Sequence, residues 1–145
     1  MAEQPILESL RITSLLAGRL LERELAARGV PAAQFALVEE IGRAEPVTPS
    51  ELARRTGHPP TTLSDQLNRL SRRGLVRRER NPADGRSTLI SLTDSGNTLR
   101  ASGSPAVERA EELVAARLRT PVHDIDRALA HLEFAARSAL DNPVP

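Results

Sequence analysis

The chain has no cysteine, tryptophan, tyrosine or lysine, and only two phenylalanines, Phe35 and Phe134, in 145 residues. Without cysteine there is no disulfide framework and no thiol redox sensing, and a reducing compartment is permitted. No secretory leader pattern opens the chain, and no apolar run approaches the roughly 20 residues of a membrane span. A soluble, cytoplasmic protein is therefore expected, with no membrane partner. Signatures of catalysis are missing too: there is no cysteine nucleophile, no glycine-rich phosphate loop, no His-Glu-x-x-His pattern, and no nucleophile elbow around any serine. We expect no enzyme and no cofactor. His123 and His131, with Asp124 and Asp126 nearby, resemble metal ligands only at first sight. Eight residues apart on one predicted helix, the two histidines are separated by about 12 Å of rise, too far to share an ion within one chain. A surface or interface role is expected for them, and no metal.

What is present is basic charge in one place. The formal net charge is only +1, but residues 51–90 hold nine arginines (54, 55, 69, 72, 73, 77, 78, 80 and 86) against Glu51, Asp65, Glu79 and Asp84. That segment carries +5 and the remainder of the chain −4. A field so placed draws a polyanion to one region and leaves the flanks for other work. The alternative for an arginine-rich hairpin is a merely solvated face.

The basic segment also has a recognisable layout. Two short helical patterns are separated by Thr56-Gly57, with Thr48 a candidate cap for the first and Pro60 to Arg73 forming the second. Leu63, Leu67 and Leu70 make one apolar edge of that second helix, while Thr61, Thr62, Asp65, Asn68, Arg69 and Arg72 lie largely off it. Gly74 ends it. Two extended runs, Leu75 to Arg80 and Ser87 to Thr93, follow, joined by the turn Asn81-Pro82-Ala83-Asp84-Gly85-Arg86. A helix-turn-helix followed by a basic hairpin suits DNA, because the second helix fits the major groove and the hairpin tip reaches the backbone or minor groove.

The flanks are helical. Between Ile6 and Arg28 the apolar positions form a stripe too wide for one face, as in a subunit interface, and a further helix runs from about Pro31 to Ile41. After the hairpin, Thr93 or Asp94 caps a helical segment in which Pro105 is expected to kink or split the helix near residues 101–104. A last helix starts at Thr120-Pro121 with Ile125, Leu129, Leu132, Ala136 and Leu140 on one stripe, and the end of the chain from Asp141 is expected to fray.

Taken together, Ser50-Glu51-Leu52-Ala53, the run Thr62-Leu63-Ser64 to Leu70, Arg73-Gly74-Leu75-Val76, the wing turn Asn81 to Arg86, and Leu92-Thr93 with Gly96 resemble the MarR family of bacterial winged-helix regulators over nearly the whole chain. The resemblance implies a mainly α fold: a winged helix-turn-helix with a two-stranded β wing and N- and C-terminal dimerisation helices. It implies one domain over residues 1–145, with the DNA-binding region at 31–99 and the dimerisation helices at 1–30 and 100–145. It further implies a homodimer on double-stranded DNA at a near-palindromic operator, usually a repressor, and in many members release by a small, often aromatic, anion. The rival reading is a winged-helix protein-interaction module without DNA binding.

Carried over residue by residue, the resemblance puts Pro60, Thr61, Thr62, Ser64 and Asp65 at the groove-facing start of the recognition helix, with Asn68, Arg69 and Arg72 further along it. Arg86 falls at the wing tip, where a guanidinium suits the narrow, negative minor groove of A·T-rich DNA. Asp84 can hold that guanidinium or the turn amides, and Gly85 permits a positive φ. Thr61 and Thr62 can instead simply cap the helix, and His58 either touches a phosphate or has no DNA role. Two positions depart from the family: Asp65 stands where a basic residue is frequent, and Asn68 where an acid is. An aspartate repels phosphate but can accept from cytosine N4, which favours a base-reading role for Asp65. The residues of an effector pocket are not legible; Arg11, Arg19 and Arg23 are candidates by position alone.

Overall fold

The structure, a computed structural model, describes residues 5–142. Residues 143–145 of the expected fraying tail lie outside the described residues. In chain order the elements are α1 (Ile6–Ala26), α2 (Ala32–Ala44), α3 (Pro49–Thr56), α4 (Pro60–Arg72), β1 (Val76–Arg80), β2 (Thr88–Leu92), α5 (Asp94–Ala115) and α6 (Val122–Asp141). Six helices and a two-stranded wing match the mainly α winged-helix fold expected from sequence. The chain divides into two compact units, residues 1–109 and 110–145.

In the first unit the main core gathers Leu37, Val38 and Ile41 of α2, Leu52 of α3, Leu63, Leu67 and Leu70 of α4, and Val76, Ile90 and Leu92 of the wing. Each leucine so buried contributes about 1.5–3 kcal/mol relative to exposure, so the three on α4 fix its rotation about its own axis. A smaller cluster packs Leu25, Val30, Phe35 and Ala106. The wing strands are antiparallel, pairing Val76 with Leu92, Arg78 with Ile90 and Arg80 with Thr88. Val47 adds a short bridge to the outer side of β2, its N–H donating to Ile90 O at 3.1 Å and its carbonyl accepting from Ile90 N at 2.8 Å. The sequence reading did not foresee this third strand-like contact.

Local caps explain where the helices begin and end. Thr48 Oγ1 accepts from the Glu51 N–H at 3.2 Å, closing the start of α3. At the other end Gly57 adopts φ 71°, a left-handed value that costs a glycine nothing, and donates its N–H to Ala53 O. For α5 the cap is Thr93, whose Oγ1 accepts from the Gly96 N–H at 3.1 Å. The same hydroxyl donates to Gly74 O at 2.5 Å, tying the end of the wing to the turn after α4.

Of the two outcomes expected at Pro105, a kink or a split, the split is excluded. α5 runs without interruption from Asp94 to Ala115, with Pro105 inside it, so there is no split at residues 101–104. The proline removes one backbone donor. Ser102 Oγ and Ser104 Oγ donate to Leu99 O and Arg100 O within the same stretch, and the adjacent Ala106 is completely buried in the Phe35 cluster. Packing outweighs the local propensity. Gly103 serves that packing: a Cβ there would lie 2.1 Å from the Phe35 ring.

In the second unit α6 presents its apolar residues to the surface of the chain: Val122, Leu129, Phe134 and Leu140 are all exposed, Phe134 by 75% and Leu140 by 82%. Ile125 and Leu132 are half-buried.

Candidate nucleic-acid interface

The core leucines of α4 face inward, and that alone decides what faces out. Pro60, Thr61, Thr62, Ser64, Asp65, Arg69 and Arg72 are exposed, and Asn68 is half-buried. The N-cap of α4 is Pro59 and the helix has no side-chain cap. Thr61 and Thr62 therefore do not cap it, and their hydroxyls are displayed beside the positive end of the helix dipole. Hydroxyls and uncapped N–H groups at that end suit phosphate oxygens or base edges.

The wing turn is pinned by its own side chains. Asn81 Oδ1 accepts from Ala83 N at 3.0 Å, Asn81 Nδ2 donates to Ser87 Oγ at 2.8 Å, and Asp84 Oδ1 accepts from the Arg86 N–H at 3.1 Å. Of the two roles open to Asp84, holding a turn amide is the one observed. Gly85 is not among the glycines with positive φ, which are Gly29, Gly57 and Gly74. The positive φ that Gly85 permits is not used, and the Asn81 and Asp84 side chains close the loop without it. What crowds Gly85 is a neighbour: Arg80 Nε donates to its carbonyl at 3.2 Å, and a Cβ there would lie 2.7 Å from Arg80 Nη2. The Arg86 side chain is exposed on this turn.

Two features escaped the sequence reading. Arg78 of β1 reaches α4 and donates from Nη2 to Asn68 Oδ1 at 2.8 Å, joining recognition helix and wing. The sequence offered no signal beyond two polar residues ten positions apart. The second is an open cleft of about 450 Å³ in which Gln34 of α2 faces Gln66, Arg69, Arg72 and Arg73. Three guanidinium groups at one cleft attract anions, and only the pairing of α2 with α4 brings Gln34 to them.

Exposed α4, an arginine-rich two-stranded wing and a buried leucine edge define a winged helix-turn-helix. A family model described as MarR family matches residues 28–87. The chain is 40% identical over 57 residues to the transcriptional regulator HosA of Escherichia coli O111:H-, a match covering 39% of this chain and 42% of that relative. It thus spans less than half the length of that relative. Among solved structures, the transcriptional regulator MOSR of M. tuberculosis in complex with DNA is 29% identical with a TM-score of 0.77, covering 94% of this chain and 98% of that one. Wild-type MarR of E. coli in its apo form is 26% identical with a TM-score of 0.70, over 94% and 98% of the two chains. Over residues 28–87 the chain resembles the MarR family, and its winged-helix fold is that of the solved MarR-family structures.

Proposed function

We propose that this protein is a cytoplasmic, homodimeric repressor that reads a near-palindromic operator, and that it has no catalytic role. The observation that carries the reading is the surface left by the buried leucine edge of α4: Thr61, Thr62, Ser64 and Asp65 at an uncapped helix start, beside an exposed Arg86 on a pinned wing. Phosphates are met by Arg69, Arg72 and Arg86, and base edges by Thr62, Ser64 and Asp65. Asp84 and Gly85 shape the wing.

Dimerisation is assigned to the terminal regions, residues 1–30 and 100–145. The reading rests on apolar side chains that the single chain leaves bare. On α1, Ile6, Leu7, Leu15 and Leu16 are each more than half exposed, and Leu129, Phe134 and Leu140 are exposed on α6. Apolar surface of this kind is covered economically across a two-fold axis. Among the described residues no helix is long and apolar enough to cross a membrane, so a bilayer-spanning helix does not account for it.

A small anion seated among Arg69, Arg72 and Arg73 would compete with the DNA backbone for the same guanidinium groups, which is a route to relief of repression. The test of the whole reading is selection of bound duplexes from random sequence by the purified protein, followed by footprinting. We expect an enriched near-palindrome with two protected half-sites. No enrichment would leave the protein-interaction alternative in possession.

A further inference from the structure

The two strand faces of the wing differ in chemistry. Side chains alternate along a strand, so Val76, Arg78 and Arg80 share one face with their partners Leu92, Ile90 and Thr88, while Arg77 and Glu79 share the other. On the second face Arg77 and Glu79 pair with each other at 3.2 Å, cancelling their charge. On the first, Val76, Ile90 and Leu92 are buried in the core, Arg78 bonds Asn68 of α4, and Arg80 bonds the wing-turn carbonyl of Gly85. One strand face therefore runs from core to recognition helix to wing turn.

The Arg78 to Asn68 bond is poorly suited to a purely stabilising role. Arg78 is exposed, α4 and β1 are already fixed by Leu67, Leu70 and Val76, and an exposed hydrogen bond adds little to that. What it does is immobilise a long, flexible cationic side chain in the notch between helix and wing. Its acceptor is a neutral amide, so the guanidinium is oriented while keeping its whole charge. A carboxylate in that position would orient it equally well and cancel it.

We infer that Asn68 acts on DNA through Arg78: it is a positioning residue that presets the Arg78 guanidinium as a backbone-phosphate anchor between recognition helix and wing, and it reads no base itself. The inference rests on the DNA-binding reading above and reassigns Asn68 within it. It predicts that Arg78 supplies affinity common to all sequences, since phosphate contacts carry no sequence information.

The test uses the full chain, the duplex it selects, and a shuffled duplex of equal length, between 50 and 200 mM salt. Arg78→Gln, which keeps part of the stem beside Ile90, should weaken both duplexes alike and make the logarithmic salt slope shallower by about one per reading head. Its deficit should then be about three- to fourfold smaller at 200 mM than at 50 mM for each reading head, and roughly twelvefold smaller for a dimer engaging two. Asn68→Ala should cause a smaller loss on both duplexes, leave the selected motif unchanged, and add nothing when combined with Arg78→Gln. Asn68→Asp should weaken both duplexes further than Asn68→Ala, by cancelling the cation. Thermal unfolding of each variant near wild type excludes misfolding as the cause. An unchanged salt slope in Arg78→Gln overturns the phosphate anchor. A base preference altered by Asn68→Ala even in the Arg78→Gln background makes Asn68 a direct reader and overturns the positioning role. Wild-type protein that binds neither duplex removes the DNA-binding reading itself, an outcome distinct from either of these.

Discussion

Leucine behaves in opposite ways in two helices of this chain. On α4, Leu63, Leu67 and Leu70 are 1–3% exposed, and every other position of the helix is left to polar or charged residues or to proline. On α6, Leu129 is 47% and Leu140 82% exposed, with Phe134 bare beside them. Both helices show apolar residues at three- and four-residue steps, so periodicity alone does not separate them. Among the described residues the chain supplies everything that α4 needs to bury its edge, and nothing comparable for α6. The winged helix is a finished core with a polar outer surface; the terminal helix carries an apolar surface that the described residues leave bare. In energetic terms, truncation in the first should cost folding and truncation in the second should cost association.

The largest expected effect is on the finished core. Leu67→Ala removes a 1%-exposed side chain from the centre of the main cluster and should destabilise the fold by about 2–5 kcal/mol, measured by chemical denaturation. Leu140→Ala, at 82% exposure, should change the stability of a monomeric variant by less than about 0.5 kcal/mol. Equal costs would erase the contrast between the two helices.

Gly103→Ala comes next. The added Cβ would enter the Phe35 ring, itself 1% exposed, and either the ring or α5 must shift, at about 1–3 kcal/mol. A neutral result would mean that α5 and Phe35 are less tightly apposed than 2.1 Å implies.

Arg86→Ala tests the outer surface of the finished half without touching its core. The exposed wing side chain should be dispensable for folding and needed for DNA, with the logarithmic salt slope shallower by about one per reading head. Binding unchanged across salt would remove the wing from the interface.

The smallest effect concerns the ion pair that ties α5 to α2. Arg100 Nε donates to Glu39 Oε2 at 3.0 Å, and Arg43 bonds the other carboxylate oxygen at 2.9 Å. The Arg100 hydrogen bond, opposed by desolvation and helped by the charges of Arg100 and Arg43, holds the Glu39 carboxyl below its ordinary value of 4.5. A carboxyl depressed in the folded state contributes stability that is present above its unfolded value and lost as pH falls through the folded one. Glu39→Gln should therefore cost at most about 1 kcal/mol near neutrality, since the pair is partly solvated, and the difference from wild type should vanish as pH drops below the ordinary carboxylate range. A gap that persists in acid would assign the effect to packing.

Much of this was legible in the sequence for a physical reason. Leu63, Leu67 and Leu70 sit at helical spacing between a Thr56-Gly57 break and Gly74, and Val76 with Leu92 brackets a turn rich in Asn, Pro, Asp and Gly, so local signals and core burial agree. The misreadings arose where a distant partner decides. Pro105 looks like a helix break until Gly103 and Ala106, on either side of it, are packed against Phe35, far away in the chain. The positive φ that Gly85 permits goes unused, since Asn81 and Asp84 close the loop and Arg80 lies over it. The Asn68 to Arg78 bond and the cleft at Gln34 depend on tertiary placement of polar side chains, for which periodicity carries no signal.

The most direct measurement of the central claim compares wild type with a Leu129→Asp, Leu132→Asp variant by sedimentation in solution and by footprinting on the selected duplex. The account predicts that wild type is a dimer protecting two half-sites roughly 34 Å apart, in successive major grooves. The variant should remain folded, sediment as a monomer or aggregate, and bind only weakly and with strong salt sensitivity. A variant that stays dimeric and protects both half-sites with unchanged affinity would show that the bare face of α6 is not the surface through which two reading heads are joined.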